Sequence, residues 1–341
     1  PSVSLSWVIS DMVGKVGKGM PEWFTYAKAR ASFAQVGNDM DAYQLYNTYS
    51  IGSDPNGNTT AGQGKTKYDA DVRSELITSW EAGAELKFFN NRLGVDFAWY
   101  KTNAKRQLMN IPLNNLSGYD NMKVNAGNIQ NTGIEIMLNA RPIETAQFSW
   151  DTQLNFSQNK SKIIELLPGK PGMQYALGGS DALQVYAVAG GAYGEIWGTK
   201  YQRVEEGEFK GQLLLNESGL PQATSDKHKI GEQQPDFLLG WTNTFNFLID
   251  GRFGGDIFSF TNMNLQRSGI AECTAPGGKR EDIVVAGVIK DGNGYKVNDQ
   301  SVSLERYYKA LATGRAGISE AYIYDATNIR LRNIALSYRF P

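Results

Sequence analysis

The chain has 341 residues, 41% of them hydrophobic and 20% charged, which allows a sizeable core and excludes intrinsic disorder. A net charge of −1 removes any broad pull toward nucleic acid, and a single cysteine, Cys273, removes a disulfide framework and a multi-cysteine metal site. No run approaches the ~18 apolar residues of a membrane helix, whereas 37 glycines and 11% aromatics suit strands and their turns.

Taken in chain order, Val3, Leu5, Trp7 and Ile9 alternate with Ser2, Ser4, Ser6 and Val8, predicting a strand, and residues 11–21 read as a turn. Residues 24–35 place Ala27, Ala29, Ala31 and Phe33 on one face and Lys28, Arg30, Ser32 and Ala34 on the other. Strand is favoured there over the helix that Ala, Lys and Arg would also allow. Tyr43, Leu45 and residues 46–51 continue to a turn at Asp54-Pro55-Asn56-Gly57. Ala84, Leu86 and Phe88 then flank Glu85 and Lys87. Past Asn90-Asn91-Arg92, Leu93, Val95, Phe97 and Trp99 alternate with Gly94, Asp96, Ala98 and Tyr100. A polar excursion is expected over residues 102–125. Ile134, Ile136, Leu138 and Ala140 next alternate with Glu135, Met137 and Asn139. A short link at 141–147 leads to Phe148, Trp150, Thr152, Leu154 and Phe156, interleaved with Ser149, Asp151, Gln153, Asn155 and Ser157. Each strand thus has one oily and one wet face. Short turns alternating with long loops are the rhythm of an up-and-down barrel with two unlike rims.

Residues 161–190 form a long loop, 196–204 a strand and 207–231 a second excursion. Phe237, Leu239, Trp241, Asn243, Phe245, Phe247 and Ile249 make one unbroken alternation into Gly251-Arg252-Phe253-Gly254-Gly255-Asp256. Residues 263–316 are long, Gly-rich and polar, with a tight turn at Asp291-Gly292-Asn293-Gly294 and a short helix over 303–312. Residues 322–340 close the chain with Leu331, Ile334, Leu336, Tyr338 and Phe340. Periodicity alone leaves a soluble antiparallel sandwich and a membrane barrel both open. Strands longer than the globular mean of about five or six residues favour the barrel. So do aromatics near strand ends, at Trp80, Phe88, Phe89, Trp99, Tyr100, Phe148 and Trp150.

Gly127-Asn128-Ile129-Gln130-Asn131-Thr132-Gly133-Ile134-Glu135-Ile136, followed by Phe148-Ser149-Trp150 and Asn155-Phe156-Ser157-Gln158-Asn159-Lys160, resembles the barrel signature of SusC/RagA-type TonB-dependent outer-membrane transporters. Residues 325–341 and Ile249-Asp250-Gly251-Arg252-Phe253-Gly254-Gly255-Asp256 are similar to two further blocks of that family. Asn131-Thr132-Gly133 reads as a turn or bulge entering the wall, and Arg330-Leu331-Arg332-Asn333 breaks alternation as a bulge does. The resemblance implies an all-β fold: an antiparallel transmembrane β-barrel with long extracellular loops, residues 1–341 forming part of its wall. The family's plug and TonB-contacting segment are absent, and truncation is expected at both ends. Between Phe247 and Leu248 the family would place a turn where this chain runs straight on. The resemblance further implies import without bond chemistry. A large nutrient, oligosaccharide foremost and peptide as the alternative, would be captured under a SusD-like lipoprotein. The TonB complex would then drive it through the outer membrane of a Gram-negative bacterium. Glu85, Asp96, Glu135, Asp151 and Asn155 would line the lumen, with Leu86, Val95, Phe97, Ile136 and Leu154 against outer-membrane lipid. The rival readings are a secreted β-sandwich carbohydrate-binding module and a β-rich glycan hydrolase.

Chemistry-bearing residues are sparse. Ser225, Asp226 and His228 are contiguous on a polar stretch, and a triad needs a base oriented by the fold. Glu205, Glu206, Glu208, Glu281 and Asp282 read as solvated loop charges. Asp291-Gly292-Asn293-Gly294 lacks the spaced oxygens of a calcium loop. Gly190-Gly191-Ala192-Tyr193-Gly194 lacks the Lys-Ser/Thr of a phosphate loop. No catalytic residue, metal or cofactor is expected. The candidate substrate contacts are loop aromatics: Tyr119, Tyr175, Tyr186, Tyr193, Tyr295 and Tyr307. Their rings suit stacking on sugars or peptide groups, and the alternative is that they pack loops or girdle the membrane.

Overall fold

The computed structural model describes residues 1–341 except 17, 18, 20, 41–45, 47, 70, 146–148, 244–246, 315, 316 and 335–341. Tyr43, Leu45, Phe148, Phe245 and the motif's last residues, 335–341, therefore lie outside the described residues. Alternation builds one ten-stranded sheet. Its wall strands are β1 (Ser2–Val8), β2 (Phe24–Asn38), β3 (Glu75–Phe88), β4 (Leu93–Pro112), β5 (Asn121–Glu144), β6 (Ser149–Glu165), β7 (Phe237–Asn243), β8 (Phe247–Phe253) and β9 (Asn328–Ile334). Each runs antiparallel to the next in chain order, and the short strand Thr66–Tyr68 lies parallel along the start of β5. Among the described residues β1 and β9 do not pair with each other, so the sheet is an open arc. The strand ends Val8 and Phe24, Phe88 and Leu93, Glu144 and Ser149, and Asn243 and Phe247, joined by short links, share one rim; Asn38 and Glu75, Pro112 and Asn121, Glu165 and Phe237, and Phe253 and Asn328 share the other, the loop rim.

Register carries the sequence alternation across the whole arc. One rung reads Trp7, Ala29, Ala84, Phe97, Ile136, Phe156, Leu239, Gly251, Ile329, apolar on all nine strands. The neighbouring rung, on the opposite face, reads Lys28, Glu85, Asp96, Met137, Asn155, Gly240, Asp250, Arg330. A one-residue slip at any interface would exchange the two sets, so burial of one face fixes the register.

Several local expectations are corrected. Residues 9–16 are a helix, Ile9–Val16, because Ile9, Met12 and Val13 recur at helical spacing. The excursion over 102–125 shrinks to 113–120, since β4 and β5 run on through it. Polar residues do not end a strand whose partner supplies matching groups: Asn103 Nδ2 donates to Asn128 Oδ1 at 2.8 Å and Gln130 Nε2 to Asn103 Oδ1 at 3.3 Å. The run from Phe237 to Ile249 is two strands, β7 and β8, rather than one. Asn243 pairs with Phe247, so partners differ by even numbers and the alternation crosses the link unbroken. Asn131-Thr132-Gly133 lies inside β5, while the register shift falls at Asn128 and Ile129. Arg332 is the extra residue where β8 and β9 shift register, as the broken alternation suggested. The helix expected over 303–312 is Leu304–Leu311, capped by Ser303 Oγ accepting from the Arg306 N–H at 3.3 Å. A third helix, Phe260–Arg267, has no clear signal in its polar sequence.

The long-loop side folds into a second layer. Gln174–Gly179, Leu183–Val188, Tyr193–Gly198 and His228–Glu232 form a four-stranded sheet. Buried side chains concentrate in this layer. One cluster holds Met109, Val124, Ala126, Ile163, Leu166 and Ala187, and another holds Met263, Leu311, Ala312, Ile318 and Tyr322. The wall gives way to this layer at Arg106 (φ 58°) and Gly127 (φ 82°), which lie between the pairs Lys105–Asn128 and Gln107–Ala126. Left-handed backbone on both strands at one level redirects the hairpin. Beyond it Met109 and Val124 turn inward onto Ile163.

Candidate functional site: the concave face and its mouth

Among the described residues nothing covers the wall's apolar face. Leu5 is 70% exposed, Phe97 38% and Trp241 40%, a patch far too large for a water-facing surface. Among the described residues no helix is long and apolar enough to cross a membrane, which says nothing of strands. On the other face a cavity of about 410 Å³ is bordered by Arg30 of β2, Asp96, Glu135, Asn155, and Asp250 and Arg252 of β8. Strands as distant as β2 and β8 border one space only when the sheet curls toward that face, so the polar side is concave. A second cavity, of about 400 Å³, lies beside Arg141 and Asp151 at the short-link rim, and a third, of about 680 Å³, lies at the loop rim between the end of β6 and Asp236, Asp256 and Asp325.

The concave face is organised by long side chains crossing small ones. Arg30 lies over Gly83, where a Cβ would sit 2.7 Å from Nε and 2.8 Å from the Phe97 carbonyl. Its guanidinium thereby reaches two strands across, donating to Asp96 Oδ2 and Oδ1 at 2.9 and 2.8 Å, with Glu81 at 3.5 Å. Tyr100 covers Gly133 in the same way and donates to Asn159 Oδ1 at 3.3 Å; Asn159 donates to Asn131 Oδ1 at 3.3 Å. Arg332, at the register shift, donates to Asp250 Oδ1 at 2.6 Å. Charges of both signs are thus interleaved, with Arg30 and Arg332 paired to Asp96 and Asp250. Glu85, Asp96, Glu135, Asp151 and Asn155 all stand on this face, and Leu86, Val95, Phe97, Ile136 and Leu154 on the other, as alternation required. Tyr100, expected among the strand-end aromatics of a membrane girdle, stands instead on the concave face, in phase with Asp96. The crossing of Arg30 and Tyr100 over glycines was not foreseen from sequence; a glycine inside a strand was the available signal.

Aromatic collars edge the convex face. At the short-link rim Trp23 stacks on Phe88 (6.0 Å) beside Phe24, and Trp150 Nε1 donates to Asn243 Oδ1 at 3.1 Å. Toward the loop rim Phe33 meets Trp80 at 4.5 Å, and Phe237 stacks on Phe253 at 4.6 Å. Rings with one polar edge suit the level where hydrocarbon meets headgroups.

The six loop tyrosines are not brought to one place. Tyr119 is half-buried, its hydroxyl accepting from Gln63 Nε2 at 2.8 Å. Tyr175 packs against the Ile163 cluster, and Tyr186 meets Trp197 edge-on at 6.1 Å. Tyr193 is exposed, Tyr295 half-buried on the strand Gly294–Val297. Tyr307 joins two buried clusters, and burial raises its hydroxyl pKa. The two concave-face cavities and the one at the loop rim are lined by none of the six. Ser225 Oγ lies 3.4 Å from Asp226 Oδ2, while His228 is exposed on its strand. Asp291 and Gly294 pair across the expected tight turn. Glu195 is buried and fully engaged: Trp197 Nε1 donates to its Oε2 at 3.0 Å, and Lys229 Nζ and the Ala192 N–H donate to its Oε1 at 3.1 and 3.3 Å.

Residues 1–210 match the family model described as TonB dependent receptor-like, beta-barrel. The chain belongs to this TonB-dependent receptor family. TonB-dependent receptor P3 of Formosa agariphila is 26% identical over 372 residues, covering all of this chain and 35% of that protein. TonB-dependent receptor SusC of Bacteroides thetaiotaomicron is 24% identical over 378 residues, again covering all of this chain and 34% of the other. The chain spans about a third of the length of these relatives. Among solved structures, the RagAB peptide importer in its open-open state superposes with a TM-score of 0.63 at 15% identity, over 97% of this chain and 35% of that one. Its closed-closed state gives 0.61 at 16% identity, over 97% and 36%. The open arc is accordingly a section of receptor barrel wall of the SusC/RagA type.

Proposed function

We propose that this chain forms the substrate-passing wall and mouth of an outer-membrane importer of a Gram-negative bacterium. The carrying observation is the unbroken division of nine strands into an apolar convex face and a polar concave one. The cargo is a large nutrient, an oligosaccharide in the first reading and a peptide in the second. It is held at the extracellular mouth with a SusD-like lipoprotein and released inward when the TonB complex, acting through the receptor's N-terminal part, displaces a plug. Amides and carboxylates on the concave face offer exchangeable hydrogen bonds to hydroxyls or peptide groups. Of the loop tyrosines, Tyr193 and Tyr186 stand best for contact, because one is exposed and the other is half-buried beside Trp197. No bond chemistry is assigned. Uptake of fluorescent oligosaccharides and of oligopeptides by cells with and without the full-length receptor tests this. Receptor-dependent uptake of oligosaccharide that stops with a protonophore supports the first reading, peptide uptake the second. Uptake of neither across a broad panel would overturn both.

A further inference from the structure

The convex face changes character just above its apolar belt. On β4, Val95, Phe97 and Trp99 are followed on the same face by Lys101, Asn103 and Lys105; on β6, Leu154 and Phe156 are followed by Gln158, Lys160 and Lys162. Register arranges these on a grid. Lys101, Thr132 and Lys160 share one rung, Asn103, Gln130 and Lys162 the next, and Lys105 pairs with Asn128 beyond. The hydrogen bonds joining Asn103 to Asn128 and Gln130 place those amides on one face. Lys105, Lys160 and Lys162 are exposed and Lys101 half-buried. Among the described residues none of the four lies within 4.0 Å of a carboxylate. Lys160 also borders the cleft that holds Glu232, Asp236, Asp256 and Asp325. Three arginines elsewhere on the wall are paired: Arg30 with Asp96, Arg332 with Asp250, Arg141 with Asp151.

We propose that this grid binds the phosphate groups of a phosphorylated lipid of the outer leaflet. Four like charges interleaved with neutral donors repel one another until a polyvalent anion joins them. Lys101 and Lys160 stand two strands apart, about 10 Å between backbones, and flexible stems let both ammonium groups close on one phosphate above Thr132 and Gln130. The level fits too. The grid lies one to three rungs beyond Trp99 and Ile134 and next to the Phe33–Trp80 pair, on the loop side, where headgroups follow hydrocarbon. This inference rests on the barrel reading of the convex face.

The test uses the full-length receptor carrying this chain, with Lys101, Lys105, Lys160 and Lys162 all changed to Gln. A control changes Lys65, Lys170, Lys279 and Lys296, exposed lysines off the wall, to Gln. Each is purified in mild detergent, and bound lipid is counted by native mass spectrometry after incubation with phosphorylated lipid A, its dephosphorylated form, or phosphatidylglycerol. The grid variant should retain about tenfold less phosphorylated lipid A, the control as much as the parent, and the parent should hold the dephosphorylated form and phosphatidylglycerol poorly. Equal retention by grid variant and parent overturns the site. Equal losses in grid variant and control, or parental preference for phosphatidylglycerol, overturn it as well. Heat-modifiable migration on gels reports barrel folding separately. If the parent itself inserts into no bilayer, the barrel reading fails instead.

Discussion

Ile136 occupies the middle of the convex belt, between Phe97 on β4 and Phe156 on β6 and flanked along its own strand by Ile134 and Leu138. Replacing it with Arg puts a guanidinium where the neighbouring strands offer only hydrocarbon. Thr132, the first polar residue above it, is four residues away, about 14 Å along the strand, too far for the new side chain to reach the headgroup level without thinning the bilayer. An arginine at midplane depth on a barrel's lipid face costs about 2–4 kcal/mol, and one near the interface about 0–1. Ile136→Arg should therefore destabilise the wall by about 2–4 kcal/mol, Thr132→Arg by under about 1, and Glu135→Gln, on the concave face one residue away, by next to nothing. Urea unfolding of the full-length receptor in lipid vesicles, followed by tryptophan fluorescence, measures all three. Parallel expression shows whether folded Ile136→Arg receptor is depleted from the outer membrane. Equal tolerance of Ile136→Arg and Glu135→Gln would refute the assignment of faces, and so would Thr132→Arg proving the worst of the three.

Gly133→Ala brings a Cβ within 2.5 Å of the Gln158 carbonyl and against the Tyr100 hydroxyl. A loss of about 1–3 kcal/mol is expected in the same unfolding assay, only partly recovered by adding Tyr100→Ala, because the carbonyl belongs to the sheet. Arg30→Gln breaks a two-pronged pair with Asp96, but both side chains are about a third exposed, so a loss of only about 1 kcal/mol should appear, falling in high salt. Ser303→Ala removes the N-cap of Leu304–Leu311 and should cost about 1 kcal/mol, seen as faster hydrogen exchange in that helix. For Lys229, burial opposes the charge, but hydrogen bonds to Glu232 and Glu195 and their negative charges outweigh it and raise the pKa. The ammonium's contribution is thus complete below the unfolded lysine pKa and is lost as pH climbs through the higher folded value. Protease resistance of the Tyr193–Gly198 and His228–Glu232 strands should decline only in strong alkali, and a decline near neutral pH would contradict the pairing.

The wall was legible because alternation is a local property that pairing merely copies: Val95, Phe97, Ile136 and Leu154 needed no tertiary information to be assigned a common face. The expected polar excursion over 102–125 was misjudged for the complementary reason. Asn103, Asn128 and Gln130 carry no apolar signal, and only the partner strand reveals that their amides satisfy one another. The β7–β8 turn was hidden because an odd-length link keeps the phase of alternation. At the site, which residues stand on the polar face followed from sequence, but the Arg30–Asp96 clamp did not, since it depends on a glycine from a third strand lying between them. The loop tyrosines could be named from sequence only as separate candidates: loop residues far apart in number are positioned by packing, and Tyr307 and Tyr175 are drawn into separate cores.

Every partnership in the nine-strand path joins neighbours in chain order. Assembly can therefore advance like a zip fastener, each arriving ribbon docking on the one before it, with no early segment held waiting for a distant mate. The long pauses come between Asn38 and Glu75, between Glu165 and Phe237 and between Phe253 and Asn328, where a surface layer must be threaded out before the next ribbon returns.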